Sequence, residues 1–395
     1  MRIISANPLP RSSHPFRRHG PLPFPFGEGN ATFWYCARSA IVQGVRALGL
    51  RAGDRVLAPA YACGSEIDAL VGERLELDFY GIHPDLSIDM NQVAQLCRET
   101  QKPPVRALFV THYLGFPQDM DTILDFTRQH DIFVIEDNAH GLYSADPTGR
   151  PLGSRGDAGV FSLTKTLPVP DGGALAMNRE NHLPVPQSLR PPVLPVAGKT
   201  RYLAEQAIEQ TSRSASRFLR ERLLNPLVRR VKAGARVPHS EREDVLDILG
   251  FKRERANWDM SPLAHAGARL AASPLIPETR RANYLALLER IEPCPRIRPL
   301  LTKLPDGCCP LLFPIVVDWP AELMRYLASA DIRVKHFWSI SHPRVPLDRF
   351  ALETSLKQRT VALPIHQDLG LEDMVRIATA IRDWRDGART AASTQ

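Results

Sequence analysis

The stretch VRALFVTHYLGFPQDMDTILDFTRQHDIFVIEDNAH, residues 105–140, decides the fold class. Residues 105–111 form an apolar run rich in β-branched and aromatic side chains and read as a strand. Residues 120–130 space their apolar side chains along one helical face, and residues 132–136 return as a short buried strand. Strand, helix and strand in this order make a βαβ unit, whose two strands lie parallel with the helix crossing one face. Working outward, the beat persists. Residues 39–50, 65–72 and 90–98 read as helices, residues 54–59 and 75–81 as strands, and 158–163 and 173–177 as further short apolar runs. The expected fold is α/β, a large domain with a mostly parallel mixed sheet flanked by helices.

The pattern changes after the core. Residues 183–256 carry prolines and then a basic helical stretch, 201–236, with Arg213, Arg217, Arg220, Arg222, Arg229 and Arg230. A solvated helical insertion is the plainer reading and contact with a membrane surface the lesser one, since a charge run is usually a wet face. No aromatic residues alternate with these arginines as a nucleic-acid groove would require, so no nucleic-acid partner is expected. Residues 263–288 then read as one long helix, 311–317 as extended, 321–330 as helical and 371–384 as a closing helix. The division is an irregular arm at 1–30, a large domain at 31–262 with the insertion at 183–256, a small α+β domain at 263–385, and a tail at 386–395.

Composition narrows the class. With 395 residues, 44% hydrophobic and 24% charged, the chain can bury a sizeable core. No apolar run approaches the roughly 18 residues of a membrane span. The six cysteines, Cys36, Cys63, Cys97, Cys294, Cys308 and Cys309, form no CxxC pair, which argues against a disulfide framework and a zinc site and for a reducing, cytoplasmic setting. A net charge of +7 does not choose among acidic small molecules, nucleic acid and membrane. The arm holds Pro8, Pro10, Pro15, Pro21, Pro23 and Pro25 and no acid before Glu28; these prolines forbid the amphipathic helix of a transit peptide.

Three elements carry chemistry. FVIEDNAH, 133–140, ends a strand in Glu136 and Asp137, at the end where parallel sheets bind ligands; alone, such acids often only cap the next helix. FSLTK, 161–165, places Lys165 after a buried strand beside Ser162, where a lysine can form a Schiff base, although lysines after strands are common. AYACGSEIDAL, 60–70, starts a helix at Gly64 and Ser65, whose free N–H groups can hold a phosphate or, more plainly, only be capped by Ser65. Together they suit pyridoxal 5'-phosphate, which needs a lysine for its aldehyde, a carboxylate on its ring nitrogen and an anion cradle. Lys165, Asp137, and Gly64 with Ser65 and Ser162 fill those roles.

The segments GDRVLAPAYACGS, THYLGFPQDMD, IEDNAHG, GDAGVFSLTK, DGGAL, RANWDMS and ALPIHQDL resemble the DegT/DnrJ/EryC1/StrS aminotransferases, fold-type I pyridoxal-phosphate enzymes acting on nucleotide-linked keto-sugars. The resemblance runs from about Gly27 to Trp384. It implies a large domain with a mixed seven-stranded sheet, a small C-terminal domain, and a homodimer with active sites shared between subunits. It makes Lys165 the Schiff-base lysine and proton carrier, Asp137 the ring-nitrogen partner and His140 a neighbour of the phenolic oxygen. Gly64, Ser65 and Ser162 become phosphate ligands, and Asn257 a ligand of the other subunit's phosphate. The implied reaction moves an amino group from glutamate to a keto-sugar in polysaccharide or secondary-metabolite biosynthesis.

Three departures stand out. Ser162 and Lys165 are three residues apart where the family has five, Asp259 stands where it commonly has an arginine, and the insertion is longer and more basic. Sugar dehydration is the alternative within the family, though the dehydrating relatives carry histidine in place of the lysine. A catalytically silent scaffold in a polysaccharide assembly system is the non-enzymatic alternative. His112 is read equally as a site contact or a satisfied structural histidine, His366 and Gln367 as domain packing, and Phe79 and Tyr80 as candidates to stack on the cofactor ring.

Overall fold

The computed structural model describes residues 2–10, 20–27, 31–211 and 253–392. The arginines singled out at 213–230, with Pro15 and Glu28, lie outside the described residues.

Seven strands form the first sheet: β1 (Ala31–Trp34), β2 (Arg55–Pro59), β3 (Glu76–Tyr80), β4 (Val105–Thr111), β5 (Phe133–Asn138), β6 (Ala158–Ser162) and β7 (Gly173–Met177). Their spatial order is β1-β7-β6-β5-β4-β2-β3. Strands β2 to β6 pair parallel, and β7 runs antiparallel to both β6 and β1. This is the mixed seven-stranded sheet expected. Strands β2, β4, β6 and β7 are buried almost throughout, because helices cover both faces and leave no reason for polar alternation.

The connecting helices are α1 (Ala37–Ala47), α2 (Ser65–Gly72), α3 (Met90–Cys97), α4 (Met120–Gln129) and α5 (Leu163–Thr166), followed by α6 (Val193–Thr211). Asp89 caps α3 and Asp119 caps α4, each carboxylate accepting backbone N–H groups of the first turn. Because β2 leads outward to β3 on one side while β4, β5 and β6 proceed on the other, the order reverses between β2 and β4. Open parallel sheets bind ligands beyond the C-terminal strand ends at such a reversal.

The expected helix over 263–288 is two helices, α7 (Pro262–Ala271) and α8 (Leu275–Arg290). Ser273 and Pro274 break it: proline cannot donate to the preceding turn and disfavours helical geometry in the residue before it. A second sheet of four antiparallel strands, ordered β10-β11-β9-β8, follows: β8 (Ile297–Pro299), β9 (Leu312–Val317), β10 (Lys335–His336) and β11 (Thr360–Pro364). Its helices are α9 (Pro320–Ser329), α10 (Ala351–Arg359) and α11 (Leu371–Ala392).

One apolar cluster joins the two sheets. It holds Phe313, Ile315 and Val361 from the second sheet together with Tyr61, Leu86, Tyr113 and Leu114, which follow strands of the first. The start of the arm docks on the same unit, with Ile4 N–H bonded to the Asp331 carbonyl at 2.9 Å and Ile3, Ile4 and Leu9 buried. No helix among the described residues is long and apolar enough to cross a membrane.

Candidate active site

The parallel strands end on one rim, and the singled-out residues follow from that. Gly64 and Ser65 begin α2 after β2, Asp137 and His140 close β5, and Ser162 ends β6 directly before the short helix α5 that carries Lys165. The N-cap of α2 is Gly64 itself, at φ +92°, and not Ser65, which is the first helical residue. Glycine suits that left-handed conformation, and the leading N–H groups of a helix have no partner within it.

The two acids of β5 face opposite sides. Glu136 Oε2 accepts the His112 Nε2–H at 2.8 Å and the Gly153 N–H at 3.1 Å, while Oε1 accepts the Arg155 N–H at 2.7 Å and the Gly156 N–H. Burial opposes ionisation, but those hydrogen bonds, the one from His112 foremost, overcome it and hold Glu136 below the usual carboxylate range. His112 Nδ1 accepts the Gln118 N–H at 3.2 Å, so this histidine is a satisfied structural residue. Asp137 accepts only the Ala139 N–H, at 3.0 Å, within the described residues. Burial, and then the nearby Glu66 carboxylate, push it up to about 7, against opposing pulls from Ala139, Lys165 and His112.

Lys165 ties the cluster together. Its charge acts on Asp137, on the Cys63 thiol and on His140. Burial, then Lys165 and Lys335, hold His140 well below the ordinary histidine range, so the ring is neutral. Its Nδ1 accepts the Leu114 N–H at 3.2 Å, which puts the ring proton on Nε2 as a free donor. Ser162 is buried, its hydroxyl 3.3 Å from that of Thr164.

Aromatic walls surround His140: its ring lies 5.5 Å from Trp338 and 5.8 Å from Phe337, and Tyr61 and Tyr113 adjoin Trp338 at 5.3 Å and 6.0 Å. Phe79 and Tyr80 belong instead to the core; the Tyr80 hydroxyl bonds the Phe109 carbonyl at 2.7 Å. Asn257 stands apart from the cluster within this chain. Its amide oxygen accepts Gln43 Nε2 at 2.9 Å and Arg46 at 3.4 Å along α1.

Several neighbours were not expected in the site from the sequence. Glu66 folds back so that its two oxygens accept the Cys63 N–H at 2.9 Å and the Cys63 thiol at 2.7 Å. Lys357 bonds the Ala62 and Ile340 carbonyls. Gln367 donates to the Thr166 carbonyl, next to Lys165, at 2.9 Å. Glu66 and Gln367 lie in the AYACGSEIDAL and ALPIHQDL segments, Gln367 being expected in domain packing, whereas Lys357 left no trace in the sequence. Among the described residues no three His, Cys, Asp or Glu side chains converge as a metal site.

Pyridoxal 5'-phosphate fits these residues: an open helix start, a buried carboxylate with one engaged oxygen, a neutral histidine donor and a lysine lie on one rim.

Residues 27–206 match the model of the DegT/DnrJ/EryC1/StrS aminotransferase family. L-glutamine:scyllo-inosose aminotransferase of Streptomyces griseus is 29% identical over 177 residues, 44% of this chain and 41% of that protein. Spore coat polysaccharide biosynthesis protein SpsC of Bacillus subtilis is 30% identical over 145 residues, 36% of each chain. The chain thus spans about a third to two fifths of the length of the curated relatives it matches. The crystal structure of DesI in the presence of its TDP-sugar product superposes with a TM-score of 0.63 at 19% identity, covering 100% of this chain and 96% of that one. At that identity the likeness establishes the fold.

Proposed function

We propose, from the match of residues 27–206 to the model of the DegT/DnrJ/EryC1/StrS aminotransferase family, that the chain is a member of that family and a pyridoxal-phosphate-dependent aminotransferase transferring nitrogen from an amino acid to a keto-sugar. The observation that carries this reading is the placement of Gly64 and Ser65, Asp137 and His140, and Ser162 with Lys165 at the C-terminal ends of parallel strands on one rim of the sheet. The cofactor supplies an electron sink that stabilises negative charge developing on the substrate carbon.

The protein's own side chains supply the rest. Gly64, Ser65 and Ser162 present backbone and hydroxyl donors to a phosphate. Asp137, buried and short of partners, would pass its proton to a neutral ring nitrogen and remain beside it as the carboxylate that keeps that nitrogen protonated. The neutral His140 donates from Nε2 to a ring oxygen. Lys165 would hold the cofactor's aldehyde and, when its amine is free, could carry a proton to and from the substrate carbon. The aromatic walls exclude water.

The finer reading is that the keto-sugar is nucleotide-linked and serves polysaccharide or secondary-metabolite biosynthesis, with glutamate or its amide as donor. The relatives support it through a TDP-sugar product, a spore coat polysaccharide and L-glutamine. A homodimer in which Asn257 reaches the partner's phosphate, and the division into domains at 31–262 and 263–385, belong to the same proposal.

Lys165→Ala is expected to abolish both turnover and the lysine-bound absorption band, and borohydride reduction should label the peptide bearing Lys165. Label on another lysine, or wild-type turnover in the variant, would refute the assignment.

A further inference from the structure

Lys335 opens β10, paired with Ala362, two residues before the Phe337 and Trp338 rings that flank His140. It is half-buried, and Asn7 of the N-terminal arm accepts one of its three ammonium protons. Burial, then the charges of Lys165 and Arg280, push this amine down to about 7. Arg280 is buried, its guanidinium bonded to Gln367 and to the carbonyls of Pro310, Leu311 and Thr166.

Two lysines and a guanidinium thus close on one corner of the site. Neither lysine forms an ion pair with a carboxylate among the described residues. Half-buried like charges are unfavourable together until an anion joins them, and such clusters mark binding sites. The resemblance places an arginine at position 259, but Asp259 stands there and would repel an anion.

We propose that Lys335, oriented by Asn7, receives the α-carboxylate of the amino donor and is a specificity residue of the site. This rests on the aminotransferase reading above. An amino acid's carboxylate is one carbon removed from its nitrogen, and that nitrogen must reach the group held by Lys165. Its anchor therefore has to lie at the Lys165 end of the site, where Arg280 bonds the carbonyl of Thr166 and where Lys335 leads into the rings flanking His140, whereas nucleotide phosphates extend a whole sugar ring away. Lysine provides a compact point charge for the task, with two protons still available.

The test titrates the cofactor-loaded full chain with glutarate and with its uncharged twin glutaramide, following the cofactor absorbance. Lys335→Met should weaken glutarate by about tenfold or more, the loss of one charged hydrogen bond, and leave glutaramide unchanged. Lys335→Arg should restore most of the affinity, and Asn7→Ala, a change at an exposed residue, should cost about fivefold. Equal glutarate binding by wild type and Lys335→Met, or equal losses for both ligands, would overturn the proposal. If borohydride labels a lysine other than Lys165, the aminotransferase reading fails on its own. Calorimetry of glutarate with the cofactor-free chain then decides separately: charge-selective binding lost in Lys335→Met supports the anion site, and unchanged binding overturns it.

Discussion

Glu136 and Asp137 are adjacent on one strand, equally carboxylic and both buried, yet the structure treats them in opposite ways. On one face of β5, Glu136 meets a histidine N–H and three backbone N–H groups and is held ionised. On the other, Asp137 has a single backbone donor and a nearby acid, and is raised to about 7. The first carboxylate is satisfied by the fold and stabilises it. The second has one backbone donor among the described residues, and the proposed function gives it the partner it lacks.

Breaking the Glu136 side should have the larger effect on folding. Glu136→Ala strands His112 and three backbone donors without water, and is expected to cost about 3–5 kcal/mol, as for breaking a buried pair. Chemical denaturation of the cofactor-free chain measures it. A loss under about 1 kcal/mol, the range of an exposed pair, would mean that the loop at 153–156 re-forms its bonds elsewhere.

Asp137→Asn should do the reverse, weakening cofactor retention by about tenfold or more through loss of the charged partner while leaving the fold intact. It also carries a pH signature. A carboxyl raised to about 7 keeps its proton in the folded chain above the ordinary carboxylate pKa, where the unfolded chain has released it. The folded state then binds more protons, so cofactor-free stability falls as pH rises from about 4 to about 7. Thermal melts across that window should flatten in Asp137→Asn; an unchanged slope would assign the pH dependence to another group.

How much of this contrast was legible beforehand follows from its physics. The strand, helix, strand reading of 105–140 placed Glu136 and Asp137 at a carboxyl-terminal strand end because apolar periodicity reports burial directly. It could not say which acid would be satisfied: that depends on the loop at 153–156 and on His112, which sequence left equally as a site contact or a structural residue. The α7–α8 break escaped because the apolar periodicity carries across Ser273 and Pro274. Strand β10, two residues long, offered no alternation to read, and so Lys335 went unnoticed although its neighbours Phe337 and Trp338 wall the site. Gly64, Ser65, Ser162 and Lys165 were visible since each follows a strand of the same parallel set. Asn257 rests on α1 outside this cluster, and only its resemblance to a family position connects it to the chemistry.

The smallest effect sharpens the comparison most. Glu66 stands at the start of α2, where an acid favours the helix dipole but opposes both a bound phosphate and the ionisation of Asp137. Glu66→Gln keeps an oxygen for the Cys63 N–H and removes the charge. Without a like charge nearby, the carboxylate form of Asp137 becomes easier to reach, so its pKa should fall by up to about 1 unit. The stability slope assigned to Asp137 would then end at a correspondingly lower pH, with little change in the denaturation midpoint at pH 5. If the slope keeps its upper limit, burial alone raises Asp137, and the difference between the two faces of β5 reduces to the count of donors that each carboxylate receives.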